Sequence, residues 1–177
     1  GDHRDLHLSM RRQRQMCIRD RAREVAELTD SQWTWRAAAA RWTVQENVEH
    51  LILVERGVLT LLRRAMAAPA AERGEALTDE EVWDRLVGAN MQRGPAPERV
   101  LPSGAWAERA AALAEFARLR EATIAYASST NEPLRERSLR LPVGELDGAQ
   151  ALLMLAGHSL RHLEQIRALR AETAFPA

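Results

Sequence analysis

Two histidines near the carboxyl end of the chain have the spacing of metal ligands on one helix face. His158 and His162 are one helical turn apart, and side chains at positions i and i+4 share a face. Both fall on the apolar stripe of a predicted helix. The stripe comprises Ala151, Leu155, His158, His162, Gln165 and Leu169. His50 lies on a matching stripe of an earlier predicted helix. These three histidines are the candidate metal ligands.

The number of histidines decides how this pattern is interpreted. A single histidine on a helical stripe is more often a core residue with ordinary hydrogen bonds. Three are different, because each buried imidazole without partners costs about 1–3 kcal/mol and one cation accepts all three lone pairs. Three nitrogen ligands also leave an open coordination position, as in catalytic zinc sites. We predict a divalent metal, with zinc as first choice and nickel, iron or copper as alternatives.

The pair His158 and His162 does not have the pattern of a zinc peptidase. Those enzymes carry glutamate directly after the first histidine, where it serves as general base. Position 159 is serine. The sequence therefore argues against peptidase activity.

Three other polar residues on helical stripes are candidates for binding a cofactor or substrate. Arg120 lies on an apolar stripe, so it needs a carboxylate or an anionic ligand unless its head group extends to solvent. Asn47 lies one turn before His50 and either orients a ligand or is a buried amide with ordinary partners. Gln165 lies one turn after His162 and can orient that helix. No residue is predicted to be catalytic.

Periodicity and capping signals predict an all-α protein. The pattern of 3.6 residues recurs along the chain, and capping boxes or N-cap residues precede several apolar runs. The predicted helices cover residues 12–28, 44–69, 78–88, 106–128 and 147–171, with loops at 93–104 and 131–146. We predict an antiparallel four-helix bundle with a long crossover and one short extra helix.

Length and composition argue against several classes of function. The 177 residues correspond to about one domain. The 25 basic and 25 acidic residues cancel, which argues against a nucleic-acid-binding protein. No apolar run reaches the roughly 18–20 residues that span a bilayer. The single cysteine, Cys17, forms no internal disulfide, and a cytoplasmic location is predicted.

The first residues differ from the rest of the chain. Residues 1–23 carry seven arginines and three aspartates, lack the alanine-rich character of the remainder, and have no apolar stretch of a secretory signal. We expect residues 1–21 to be a non-native or disordered leader and residues 22–177 to form a single helical-bundle domain.

Two segments resemble the signatures of the DinB/YfiT-like superfamily. Residues 42–51, WTVQENVEHL, resemble its W-[ST]-x-x-E-x-x-x-H-L motif, and residues 157–166, GHSLRHLEQI, resemble its H-x-x-[RH]-H-x-x-Q-[IL] helix. The resemblance extends from about residue 23 to 170 and departs at the start of the chain. It implies a four-helix bundle that holds a divalent metal through three histidines, which correspond here to His50, His158 and His162.

The resemblance also implies a class of reaction. Characterised relatives include thiol S-transferases that use bacillithiol or mycothiol, and a mycothiol-dependent maleylpyruvate isomerase. We therefore expect a metal-dependent S-transferase that joins a low-molecular-weight thiol cosubstrate to an electrophile. The alternative is a non-catalytic helical bundle that forms a homodimer or binds another partner.

Overall fold

Five helices and one small sheet form the part of the protein that the computed structural model describes, residues 25–69, 77–88 and 94–177. The helices are α1 (Asp30–Thr34), α2 (Val44–Ala67), α3 (Asp79–Val87), α4 (Arg109–Ser129) and α5 (Gly148–Arg170). A 3-10 helix covers Glu98–Val100. The strands are β1 (Ser138–Leu141) and β2 (Gly144–Asp147). Among the described residues, no helix is long and apolar enough to cross a membrane.

Capping boxes determine where α2, α3 and α5 begin. In each box the N-cap side chain accepts a hydrogen bond from the backbone N–H three residues later, and the side chain there accepts one in return. The pairs are Thr43 with Glu46, Thr78 with Glu81, and Asp147 with Gln150. These starts agree with the predicted ones. Helix α4 begins at Arg109 rather than at Trp106, and its N-cap, Glu108, makes no side-chain capping bond.

The prediction of a loop over residues 131–146 is wrong in its second half, which forms a β-hairpin. Strands β1 and β2 pair antiparallel, with Leu139 opposite Leu146 and Leu141 opposite Gly144. The alternation of buried Leu139 and Leu141 with exposed Arg140 is a strand pattern, but it is too short to stand out in a helical sequence. The described fold is therefore mostly helical, broadly consistent with the all-α prediction, and adds a small two-stranded sheet.

Helices α2 and α5 are antiparallel neighbours at the centre of the fold. Residues near the start of α2, such as Val48, cluster with Leu169 near the end of α5. Residues near the end of α2, such as Leu62, cluster with Leu152 near the start of α5. Helix α4 packs against α2, and α3 packs against α5. The middle turns of α2 and α5 therefore face each other between two apolar clusters.

The fourth long helix of the predicted bundle, residues 12–28, falls mostly outside the described residues. Val25 and Leu28, at its end, are buried as predicted, whereas Ile18 and Ala22 lie outside the described ranges. The leader at residues 1–21 lies outside them too. The four-helix arrangement and the domain boundary at residue 22 remain predictions.

Candidate metal centre

Helices α2 and α5 bring the three histidines into contact. The Nε2 atom of His158 lies 3.2 Å from Nε2 of His50 and 3.3 Å from Nε2 of His162. One ligand atom from each histidine lies within 4.8 Å of the others. Two nitrogens at 2.0–2.1 Å from a tetrahedral zinc ion are about 3.3 Å apart. The separations therefore fit a single ion, so this group could hold a metal.

Hydrogen bonds on the opposite side of two rings fix which nitrogen carries the proton. Nδ1 of His50 lies 2.7 Å from the carbonyl oxygen of Val100, and Nδ1 of His162 lies 2.8 Å from Oδ1 of Asn47. Both oxygens are acceptors, so each Nδ1 must donate. A neutral imidazole has only one N–H, which leaves the Nε2 lone pairs of His50 and His162 directed at His158.

The orientation of the Asn47 amide is fixed independently. Its Nδ2 donates to the carbonyl oxygen of Thr43 at 2.8 Å, so Oδ1 is the atom that faces His162. Asn47 is 2% exposed, and its amide therefore joins the first turn of α2 to the imidazole on α5. Such contacts orient metal ligands and maintain their tautomer.

Electrostatics favours the neutral form of all three imidazoles. Burial lowers the pKa of His158 to about 3, with further lowering by His50, Arg161 and Arg120. Burial also lowers the pKa of His162 well below its usual value, although a hydrogen bond with Gln165 opposes this. The pKa of His50 is lowered by burial and raised by its bond to Val100. Neutral imidazoles are the form that binds metal.

A buried glutamate anchors the loop that carries the Val100 carbonyl. Glu49 is 1% exposed. Its carboxylate accepts hydrogen bonds from the backbone N–H groups of Ser103, Gly104 and Ala105, and from the Ser103 hydroxyl, at 2.9–3.2 Å. The loop is thereby held against α2 one residue away from His50.

Trp42 forms part of the wall around the imidazoles. Its ring stacks on His162 at an interplanar angle of 14° and lies 4.8 Å, centroid to centroid, from the ring of His50. Trp42 lies just before α2 and contacts two of the candidate ligands directly. Its bulk restricts the rotation of both rings.

Arg120 lies in a buried polar cluster between α2, α4 and α5. It forms an ion pair with Glu55 at 2.7 Å, in which the side chains are 7% and 2% exposed, and it donates to Ser159 Oγ. Ser159 follows His158 directly. Arg120 is not among the described residues that line the cavity beside the histidines, and the structure supplies the carboxylate partner that its burial requires.

A cavity of about 1020 Å³ opens from the three histidines. Asn47 and Gln165 line it beside His50, His158 and His162. Much of the remaining wall is apolar and comes from α2, α3, the hairpin and α5. Its apolar side chains include Leu53, Val54, Val58, Leu61, Leu86, Leu141, Val143 and Met154. A ligand in this cavity can reach the Nε2 atoms.

Three features of this site were not predicted from the sequence. Arg99 and Arg161 line the cavity, and neither stood out because an arginine on a helix or loop usually faces solvent. The position of Arg161 between the two histidines of α5 was the available signal. The third feature is the Val100 carbonyl, a backbone group that no residue type can reveal.

Comparison with known proteins agrees with the resemblance read from the motifs. The sequence profile of the DinB superfamily matches residues 18–166. No curated protein and no solved structure matches the chain significantly. The profile match covers most of the 177 residues and includes all three histidines and Asn47. The chain therefore belongs to the DinB superfamily.

Proposed function

We propose that this protein binds a divalent metal ion through the Nε2 atoms of His50, His158 and His162. The observation that carries the proposal is the convergence of three Nε2 atoms, with the rings of His50 and His162 held by hydrogen bonds at Nδ1. Zinc is the first choice for three imidazole ligands, with nickel and iron as alternatives. Three protein ligands leave a position for a molecule from the cavity.

The unfavourable contacts among the lone pairs support a cation rather than a hydrogen-bonded core. His158 lies 3.2 and 3.3 Å from two nitrogens that both present lone pairs. A neutral His158 carries one proton and can donate to only one of them. Burial lowers the pKa of His158 to about 3, which disfavours a protonated ring at neutral pH. A cation would satisfy all three nitrogens together.

We further propose that the protein is a thiol S-transferase. A divalent metal held by His50, His158 and His162 would supply Lewis-acid chemistry that lowers the pKa of a thiol in the cavity. The thiol sulfur then forms a bond to an electrophilic carbon, the leaving group departs with the bonding electrons, and the thiol proton passes to solvent. The nucleophile belongs to the cosubstrate, so the reaction needs no cysteine of the chain.

The residues around the cavity suit such a reaction. Its volume of about 1020 Å³ lies at the upper end of small-molecule sites, roughly 300–1000 Å³, and leaves room for a thiol beside a second substrate. Apolar side chains such as Leu53 and Val54 line the cavity and would limit the access of water to a bound substrate. Asn47 and the Val100 carbonyl hold two imidazoles in place.

Thiol consumption tests this proposal. Purified protein loaded with zinc is incubated with bacillithiol or mycothiol and a panel of electrophiles, such as alkyl halides and activated aryl halides. We expect at least one pair to react faster than with His158→Ala protein treated identically. Stoichiometric metal with no accelerated pair would favour the alternative, a non-catalytic bundle that dimerises or binds a partner.

A further inference from the structure

The charged residues that line the cavity are all basic. Among the described lining residues there are three arginines, Arg41, Arg99 and Arg161, and no aspartate or glutamate. The whole chain has 25 basic and 25 acidic residues, so the excess of positive charge is local to this cavity. Clefts lined by one sign of charge concentrate ligands of the opposite sign.

Arg41 and Arg99 differ in how their charge is compensated. Arg41 forms an ion pair with Glu172. Arg99 is exposed and lies on the 3-10 helix next to Val100, the residue that anchors His50. Among the described residues no hydrogen bond or ion pair of Arg99 is found. Its guanidinium is therefore available to a ligand in the cavity.

Arg161 places a permanent positive charge beside a proposed cation site. It lies between His158 and His162 on α5 and lines the cavity beside both imidazoles. A positive charge there opposes a bound metal cation, because like charges repel. An anion held between the arginine and the metal would offset that cost.

We propose that the cavity binds a largely apolar substrate that carries an acid group, such as a carboxylate, and that Arg99 and Arg161 bind that group. The inference rests on the proposed function, since it names the class of substrate for the same cavity. The apolar wall formed by α2, α3 and the hairpin accommodates the rest of the molecule. Guanidinium groups bind carboxylates through paired N–H donors.

A pair of fluorescent probes of nearly equal shape tests the charge requirement. 8-Anilinonaphthalene-1-sulfonate carries one negative charge, and N-phenyl-1-naphthylamine has the same aromatic body without it. Both are titrated into the full-length protein, with and without added zinc. We expect Arg99→Gln and Arg161→Gln each to weaken sulfonate binding about tenfold, as for one lost charge-assisted hydrogen bond, and to change binding of the neutral probe less than twofold.

Matched variants separate charge from general damage to the fold. Arg161→Lys keeps the charge and is expected to retain most of the sulfonate affinity. Arg118→Gln makes the same change on the exposed face of α4, where Arg118 pairs with Glu115, and is expected to change neither probe. Equal losses for both probes, or a loss in Arg118→Gln as large as in Arg161→Gln, would overturn the proposal.

Competition identifies which substrate carries the acid group. Displacement of the sulfonate probe by 3-mercaptopropionate assigns the acid group to the thiol, and displacement by 4-phenylbutyrate alone assigns it to the other substrate. Displacement by neither would overturn the proposal. Charge-selective binding in a protein that takes up no metal would leave this inference standing and refute the proposed function. Metal uptake without charge-selective binding would refute this inference and leave the proposed metal site standing.

Discussion

Replacement of Asn47 by alanine should weaken metal binding without abolishing it. Asn47 Oδ1 accepts the Nδ1 proton of His162 at 2.8 Å, and its Nδ2 is held by the Thr43 carbonyl at 2.8 Å. Loss of the acceptor frees the His162 ring to adopt the other tautomer, in which Nε2 carries the proton and cannot bind metal. Loss of such outer contacts typically lowers metal affinity about 10–100-fold, which corresponds to roughly 1.4–2.7 kcal/mol.

Competition with a chromophoric chelator at pH 7.5 measures this change directly. Asn47→Asp is the matched control, because it keeps an oxygen acceptor facing His162 and is expected to hold zinc more tightly than Asn47→Ala. Its second carboxylate oxygen faces the Thr43 carbonyl, so some loss of thermal stability is expected. An Asn47→Ala protein with unchanged affinity, or one whose affinity falls as far as that of His158→Ala, would refute the assigned role.

Four further predictions concern stability and the remaining segments. Metal-free protein should lose stability as pH falls from 6.5 towards 3, because the pKa of His158 is lowered to about 3 by burial and the unfolded chain takes up the proton near 6.5. The loss is on the order of 1 kcal/mol per pH unit for each such imidazole. Thermal denaturation at pH 7.5 and 5.5 should show that His158→Leu loses less stability between these two pH values than the wild-type protein does. Glu49→Gln should cost about 3 kcal/mol in urea denaturation, as it removes charge-assisted bonds to the loop, and should weaken zinc binding. Arg120→Met should cost about 3–5 kcal/mol because it removes the guanidinium that pairs with the buried Glu55 carboxylate. Calorimetry of the double variant Arg120→Met with Glu55→Leu should show that most of this stability is recovered. Deletion of residues 1–12 should leave metal content, measured by mass spectrometry, unchanged.

Local signals explain which parts of the fold could be predicted from the sequence. Helix starts at Val44 and Asp79 follow from capping boxes, in which residues three apart satisfy one another's backbone groups. The start of α4 was misplaced because Glu108 supplies no such signal. The hairpin at 138–147 was missed because its stability comes from burial of Leu139 and Leu146 against the helices, which is a tertiary effect.

The candidate site also contains some features that could be predicted from the sequence and others that could not. The three histidines could be found because helical periodicity and the two motifs place them on facing stripes. The partner of Arg120 could not, since Glu55 lies on a different helix 65 positions earlier and only the packing of α2 on α4 joins them. The Val100 carbonyl that anchors His50 was equally hidden, because any residue at that position has the same backbone group.

Metal content of the purified protein tests the central claim most directly. Wild-type protein and His158→Ala are exposed to excess zinc, separated from free metal by gel filtration and analysed by inductively coupled plasma mass spectrometry. We expect about one zinc per chain in the wild type and almost none in the variant, because His158 supplies one of only three ligands and its Nε2 lies within 3.3 Å of both others. Full stoichiometric zinc in His158→Ala, or none in the wild type, would contradict the three-histidine site.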